Sequence, residues 1–190
     1  MIQQKRKKGE FGYPIYERKF VILRTTIYFL ISFAVFLLGY FSTGKKENLL
    51  TIVAVLGLLP SSKSLVSVIM YLRIPPFSEK IYQEISTEIK SVHAIYSMYL
   101  TSYKLNFPIT CFAVRGNNLI GYTEFQNCNS SACEEHIKDI LKQNSKKNVT
   151  VKIFRYNEQK KFIDRINQLN ELEASKDEEE LLALMCDISL

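Results

Sequence analysis

Histidine and glycine are scarce in this chain, with two and seven among 190 residues. It contains no P-loop, no GxGxxG, no HExxH and no nucleophile elbow. None of the glycines forms a cluster that would cradle a phosphate. The sequence therefore gives no support for nucleotide binding.

Cysteine is also sparse, and its four residues are Cys111, Cys128, Cys133 and Cys186. We expect this part of the chain to be cytoplasmic, where thiols stay reduced, so no disulfide framework is predicted. Cys128 and Cys133 with His136 form the only run that suggests a metal site. Their spacing fits no tight zinc pattern, and no fourth ligand lies nearby in sequence. We predict neither a metal site nor a cofactor.

Acidic residues are rare in the first 72 residues, which carry ten Lys or Arg against three Asp or Glu, a net charge of +7. The remainder carries fifteen basic and sixteen acidic residues, a net charge of −1. Nucleic-acid binding depends on neutralising phosphates with basic residues. A nearly neutral C-terminal part therefore predicts no nucleic-acid partner.

Two long apolar runs dominate the first part, Phe20–Phe41 and Leu49–Leu72, separated only by Ser42–Asn48. Each is long enough to cross a bilayer as a helix, which needs about 20 mostly apolar residues. A cleaved signal peptide fits poorly, because the preceding charged region is too long and a second apolar run follows at once. We predict a basic, aromatic arm at 1–19, a two-helix transmembrane hairpin at 20–73, a Pro-rich spacer at 74–78 and a cytosolic domain at 79–190.

The distribution of positive charge predicts the orientation of this hairpin. Seven basic residues precede or open the first run, whereas the short loop has two, Lys45 and Lys46. An excess of Lys and Arg marks the cytoplasmic side. We therefore expect a multi-pass protein of the inner (plasma) membrane with both termini in the cytoplasm.

The arm is a candidate lipid-binding segment. Its aromatic residues can lie at headgroup depth while its basic residues meet anionic lipid. Its function is either to sense lipid or simply to provide the positive flank that an anchor needs. The basic residues are Lys5, Arg6, Lys7, Lys8, Arg18 and Lys19.

The second apolar run contains a polar group in its middle, formed by Pro60, Ser61, Ser62, Lys63 and Ser64. Pro60 is expected to kink the helix. Lys63 would lie about 13 Å inside the cytoplasmic end of a straight helix. An ionisable residue at that depth suggests a polar path or a partner contact. In the alternative, the helix bends at Pro60 and Lys63 reaches the headgroups.

The rest of the sequence predicts a small α/β domain with a mixed three-stranded sheet. Helical spacing covers 79–105, two strands with a turn at 115–118 cover 107–125, and a strand covers 148–155. A further helix follows Ser130 and Ser131, another covers 158–172, and Ser175–Glu178 resembles a capping box before a last helix at 179–186.

Two resemblances accompany this pattern. The order helix, strand hairpin, helix and strand from Glu79 to Arg155 resembles part of the restriction-endonuclease-like fold. In that fold an Asp and a Glu-x-Lys or Glu-x-Gln bind a metal. Glu124 and Gln126 match the Glu-x-Gln, but the Asp and the third hairpin strand are missing.

The stretch LPSSKSLVSVIMYLR, with the two-run layout, is similar to small two-span bacterial membrane proteins without an assigned function. This resemblance implies no activity.

These patterns favour a membrane-anchored, non-enzymatic domain that binds or regulates a partner. The expected partners are membrane lipids and either another protein or further copies of this chain. One alternative is an oligomeric transport or channel-type subunit with Lys63 in its path. A further alternative is a degenerate nuclease-like enzyme that depends on Glu124.

Overall fold

The computed structural model of the chain describes residues 6–146, 148–175 and 177–190. The chain divides into two compact units. One contains Ile15–Ile74, and the other joins the residues up to Pro14 with Pro75–Leu190. The second unit is therefore built from chain segments on both sides of the apolar runs, a discontinuity that no sequence pattern reveals.

The first unit is formed by two long helices, α1 (Tyr13–Thr43) and α2 (Leu49–Leu72). Both are long and apolar enough, by length and composition, to cross a membrane. α1 begins six residues before the end of the predicted arm at residue 19. The side chain of Asn48 caps α2 by accepting a hydrogen bond from the Thr51 N–H at 2.9 Å. Pro60 lies inside α2 and does not end it.

The second unit is an α/β domain. Its elements are α3 (Glu79–Glu88), β1 (His93–Thr101), β2 (Asn106–Arg115), β3 (Asn118–Tyr122), α4 (Ser130–Gln143), β4 (Thr150–Phe154), a 3-10 turn (Tyr156–Glu158), α5 (Gln159–Asn170) and α6 (Glu178–Ile188). The strands lie in the order β1-β2-β3-β4, with two antiparallel pairs and a parallel β3–β4 pair. The sheet is mixed as predicted, but the predicted number of three strands was wrong.

Helices cover both faces of this sheet. On one face, α4 and α6 bury Ile137, Leu141 and Met185 against Phe112 and Val114 of β2. On the other face, α3 and α5 bury Ile85, Phe162 and Ile166 against Cys111 and Ala113. The alternation of β2 residues between two apolar clusters is the period-two pattern of a strand buried on both sides.

The helix predicted over 79–105 was wrong beyond Glu88, because β1 occupies 93–101. The error has a physical cause in the strand itself. Ile95 and Met98 are three residues apart but contribute to the same apolar cluster, since the alternation of β1 is interrupted at Ser97. Ser97 has a φ of +55°. The interruption produces a three-residue spacing that imitates one face of a helix.

Candidate functional site

The two long helices meet along a seam of small and polar residues. The hydroxyls of Thr25 and Ser64 share a hydrogen bond at 2.6 Å. A second contact joins Ser32, seven residues after Thr25 on α1, to Gly57, seven residues before Ser64 on α2. A Cβ added to Gly57 would lie 2.7 Å from the Ser32 Oγ. A seven-residue spacing keeps one face of each helix against its partner, as in coiled-coil packing. Small side chains permit this close approach, which is typical of helices packed in membranes.

The predicted polar group of α2 is divided between two faces of the helix. Ser61 and Ser64 are buried, whereas Pro60, Ser62 and Lys63 are exposed. The Ser61 hydroxyl donates to the Gly57 carbonyl at 3.0 Å. The structure therefore does not bring Lys63 together with both neighbouring serines on one face.

Lys63 lies on an outward surface of the helix pair. Within the described part of the chain, no ion pair includes this residue. Its ammonium group is therefore available to lipid headgroups, solvent or another molecule.

Of the predicted basic arm, Lys5 lies outside the described residues, and Arg18 and Lys19 belong to α1. The segment 6–12 lies on the α/β unit. Lys8 Nζ donates to the Ser189 carbonyl at 2.6 Å, and Arg6 Nη1 donates to the carbonyl of Phe11 at 2.6 Å. Lys7 is exposed.

The chain segments that flank the helix pair are bound by polar side chains of the sheet and of the residues that follow β3. Before α1, the Gly12 N–H donates to Ser97 Oγ at 3.0 Å. After α2, the Ser78 N–H donates to the Glu124 carboxylate, with distances of 3.1 and 3.3 Å to its two oxygens. Glu124 also accepts a hydrogen bond from Thr110 Oγ1 at 3.2 Å. We refer to Ser97, Thr110 and Glu124 as the flank-binding cluster.

Ser97 and Thr110 lie at the same level of two neighbouring strands. They fall between consecutive pairs of the β1–β2 ladder, Tyr96↔Cys111 and Met98↔Ile109. Both side chains are buried. The interruption in the alternation of β1 thus lies where Ser97 binds the segment before α1 and where Thr110 binds Glu124. Backbone irregularities of this kind often mark positions with a specific role.

Glu124 is the electrostatic centre of the flank-binding cluster. Burial raises the pKa of its carboxyl group, and the hydrogen bonds from Ser78 and Thr110 oppose that rise. Gln126, its partner in the nuclease-like Glu-x-Gln, is exposed. The carboxylate oxygens are already used in binding the Ser78 segment, so no further observation favours the enzyme alternative.

The buried carboxylate of Glu178 lies at the turn between β2 and β3. Glu178 is 2% exposed, and its Oε1 accepts hydrogen bonds from the backbone N–H of Gly116 at 2.7 Å and of Ser175 at 2.8 Å. Its Oε2 lies 3.8 Å from Arg115 Nη1 and 3.9 Å from His93 Nε2. The Ser175 contact is one half of the predicted capping box. This carboxylate connects the start of α6 to the sheet.

The sulfur and imidazole groups are dispersed through the fold. Among the described residues, no group of three or more His, Cys, Asp or Glu could hold a metal ion. Cys133 is fully buried, and burial raises the pKa of its thiol. His136 lies against the ring of Phe107, with 5.8 Å between ring centroids.

Comparison with protein-family models, curated proteins and solved structures finds no match to this chain. The flank-binding cluster was not anticipated from the sequence. Serine and threonine inside strands carry no distinctive pattern, and Glu124 was interpreted through the nuclease-like motif. A usable signal was the pair of glycines at positions 9 and 12, since such residues permit close backbone approach.

Proposed function

We propose that this protein is a membrane-anchored, non-enzymatic regulator. Its two apolar helices insert into the inner membrane as a hairpin, and its α/β unit binds or regulates a protein partner in the cytoplasm. The observation that carries the proposal is the flank-binding cluster. It holds the segment before α1 and the segment after α2 in one folded unit.

This arrangement constrains the topology of an inserted hairpin. Segments that fold together must lie on the same side of the membrane, so α1 and α2 would cross the bilayer as a pair and return the chain to its starting side. The excess of Lys and Arg in the first 24 residues over the loop selects the cytoplasm as that side. Residues 73–190 carry fifteen basic and sixteen acidic residues, and this near-neutrality agrees with a protein partner rather than a nucleic acid.

The hydrogen bonds of the Glu124 and Glu178 carboxylates support a structural role over a catalytic one. Glu124 accepts a hydrogen bond from the backbone N–H of Ser78, and Glu178 accepts one from the backbone N–H of Gly116, each from a distant segment. Such contacts hold a fold together, and they occupy both oxygens of Glu124 and the Oε1 of Glu178.

The experiment is cross-linking of the intact protein in native membranes, followed by purification and mass spectrometry. We expect one stoichiometric protein partner whose recovery is the same from wild type and from Lys63→Leu. Recovery of no partner from wild type, together with retained membrane association, would contradict the regulatory role.

The alternative of an oligomeric transport subunit retains one observation in its favour, the exposed position of Lys63 on α2. Two helices do not enclose a path, so several copies would have to associate. In that case the wild-type protein gives self-cross-links through α2, and Lys63→Leu abolishes them.

A further inference from the structure

The segment 6–12 covers one part of the outer edge of β1, and the C-terminal residues Ser189 and Leu190 pair with another part of that edge. The Gly9 carbonyl accepts a hydrogen bond from the Tyr96 N–H at 2.7 Å. Gly9 has a φ of +94°, a conformation that favours glycine. The ring of Phe11 stacks on Tyr82, with 4.3 Å between centroids. The segment therefore provides an acceptor for the Tyr96 N–H, one of the backbone groups that an edge strand leaves open.

The basic residues of this segment have weak partners in the covered state. Lys8 and Arg6 donate to neutral backbone carbonyls. No ion pair in the described part of the chain includes Arg6, Lys7 or Lys8. A phosphate is a stronger acceptor for an ammonium or guanidinium group than a carbonyl is, because the hydrogen bond is charge-assisted on both sides. Their positive charge thus remains available to an anionic surface.

We propose that residues 6–11 form an exchangeable strap, which leaves the β1 edge when its basic residues bind a bilayer surface rich in anionic phospholipid, while Gly12 keeps its hydrogen bond to Ser97. This inference rests on the proposed membrane anchoring, which brings the segment close to headgroups because Tyr13 begins the first apolar helix. Juxtamembrane clusters of Lys and Arg are attracted to anionic leaflets. The strap would then couple lipid composition to the exposure of the sheet edge.

Cys186 provides a native reporter of the strap. An added Cβ at Gly9 would lie 3.5 Å from the Cys186 Sγ, so the strap runs directly over this thiol. Cys186 is partly exposed, whereas Cys111, Cys128 and Cys133 are buried. Release of the strap would uncover Cys186 while the other thiols stay within the core.

The test measures the rate at which an uncharged maleimide alkylates Cys186 in the full chain reconstituted in nanodiscs. One set contains phosphatidylcholine alone, and the other also contains about 30% phosphatidylglycerol, enough to create a negative surface potential. We expect a several-fold faster alkylation with phosphatidylglycerol, and loss of the increase at high salt. Inorganic phosphate added to the phosphatidylcholine discs should leave the rate unchanged, which separates a lipid surface from free phosphate.

The matched variant is Lys7→Glu, which reverses the charge of the exposed Lys7 and keeps the Arg6–Phe11 and Lys8–Ser189 contacts. We expect this variant to keep the slow rate in phosphatidylcholine and to lose most of the response to phosphatidylglycerol. Equal wild-type rates in both lipids, or an unchanged response in the variant, would overturn the strap. Failure of the chain to remain in the bilayer after alkaline extraction would instead contradict the anchoring, so the two failures are distinguishable.

Discussion

The carboxylate of Glu124 accepts hydrogen bonds from the backbone N–H of Ser78, at 3.1 and 3.3 Å, across 46 residues of chain. This contact attaches the segment after α2 to the sheet. The bond from Gly12 to Ser97 does the same for the segment before α1. The two contacts therefore place the residues on either side of the helix pair in one folded unit.

Replacing Glu124 with Ala should destabilise the α/β unit by about 1–3 kcal/mol, because the Ser78 N–H loses its acceptor in a partly buried position. Denaturant unfolding of the full chain in detergent micelles, followed by near-ultraviolet circular dichroism, measures the change. The control is Gln126→Ala at an exposed position, where the change should stay within about 0.5 kcal/mol. Equal effects of the two substitutions would contradict the assigned role.

The stability contributed by Glu124 should depend on pH. Burial raises the pKa of this carboxyl group above its ordinary value of 4.5, so the folded state binds the proton more tightly than the unfolded state. The free energy of unfolding of wild type, measured relative to Glu124→Gln, should therefore fall as the pH rises from about 4.5 through the raised pKa, and stay constant above it. Unfolding midpoints of both proteins over a pH series check this, and a difference that grows with pH would refute it.

Replacing Glu178 with Ala should cost about 3 kcal/mol or more, because it leaves Arg115 without its nearby carboxylate and removes the acceptor of two backbone N–H groups. The neighbouring Glu179→Ala serves as the control, since Glu179 is exposed. Thermal unfolding of both variants gives the comparison. A Glu178 variant as stable as the Glu179 variant would show that the buried carboxylate is dispensable.

The seam between α1 and α2 predicts a selective cross-link. In the double variant Thr25→Cys with Ser64→Cys, the two thiols replace hydroxyls that are 2.6 Å apart, so oxidation should join them. Thr26→Cys with Ser64→Cys should react much less, because Thr26 is exposed and bonds the carbonyl of Ile22 instead. Mobility on non-reducing gels separates the outcomes, and similar yields for the two pairs would contradict the seam.

Much of the fold could be predicted from the sequence. The two apolar runs correspond to α1 and α2, and the strand formers around the turn at Arg115–Asn118 correspond to β2 and β3. These elements follow a single local periodicity, which is the signal that a sequence carries most directly. β1 was missed because Ser97 interrupts its alternation, and a residue with positive φ leaves no mark in the pattern of apolar residues.

The candidate site could not be predicted because it depends on contacts between distant parts of the chain. Gly12 and Ser97 are 85 residues apart, and Lys8 and Ser189 are 181 residues apart. The composition of the arm indicates affinity for anionic surfaces. Nothing in that composition indicates that part of the arm packs on the edge of a sheet. Lys63 was recognised from its chemistry, whereas its outward position on α2 depends on which helix face packs against α1.

The most direct test of the account is the sidedness of two introduced cysteines in membranes of the expressing bacterium, with the buried Cys111, Cys128 and Cys133 as the remaining native thiols. Tyr103→Cys lies at a fully exposed position in the β1–β2 turn, and Lys46→Cys lies in the loop between α1 and α2. Both are made with Cys186→Ser and labelled with a membrane-impermeant maleimide. We predict that Tyr103→Cys reacts only in inverted vesicles and Lys46→Cys only in intact cells. Reaction of both cysteines from the same side would contradict the membrane-spanning hairpin.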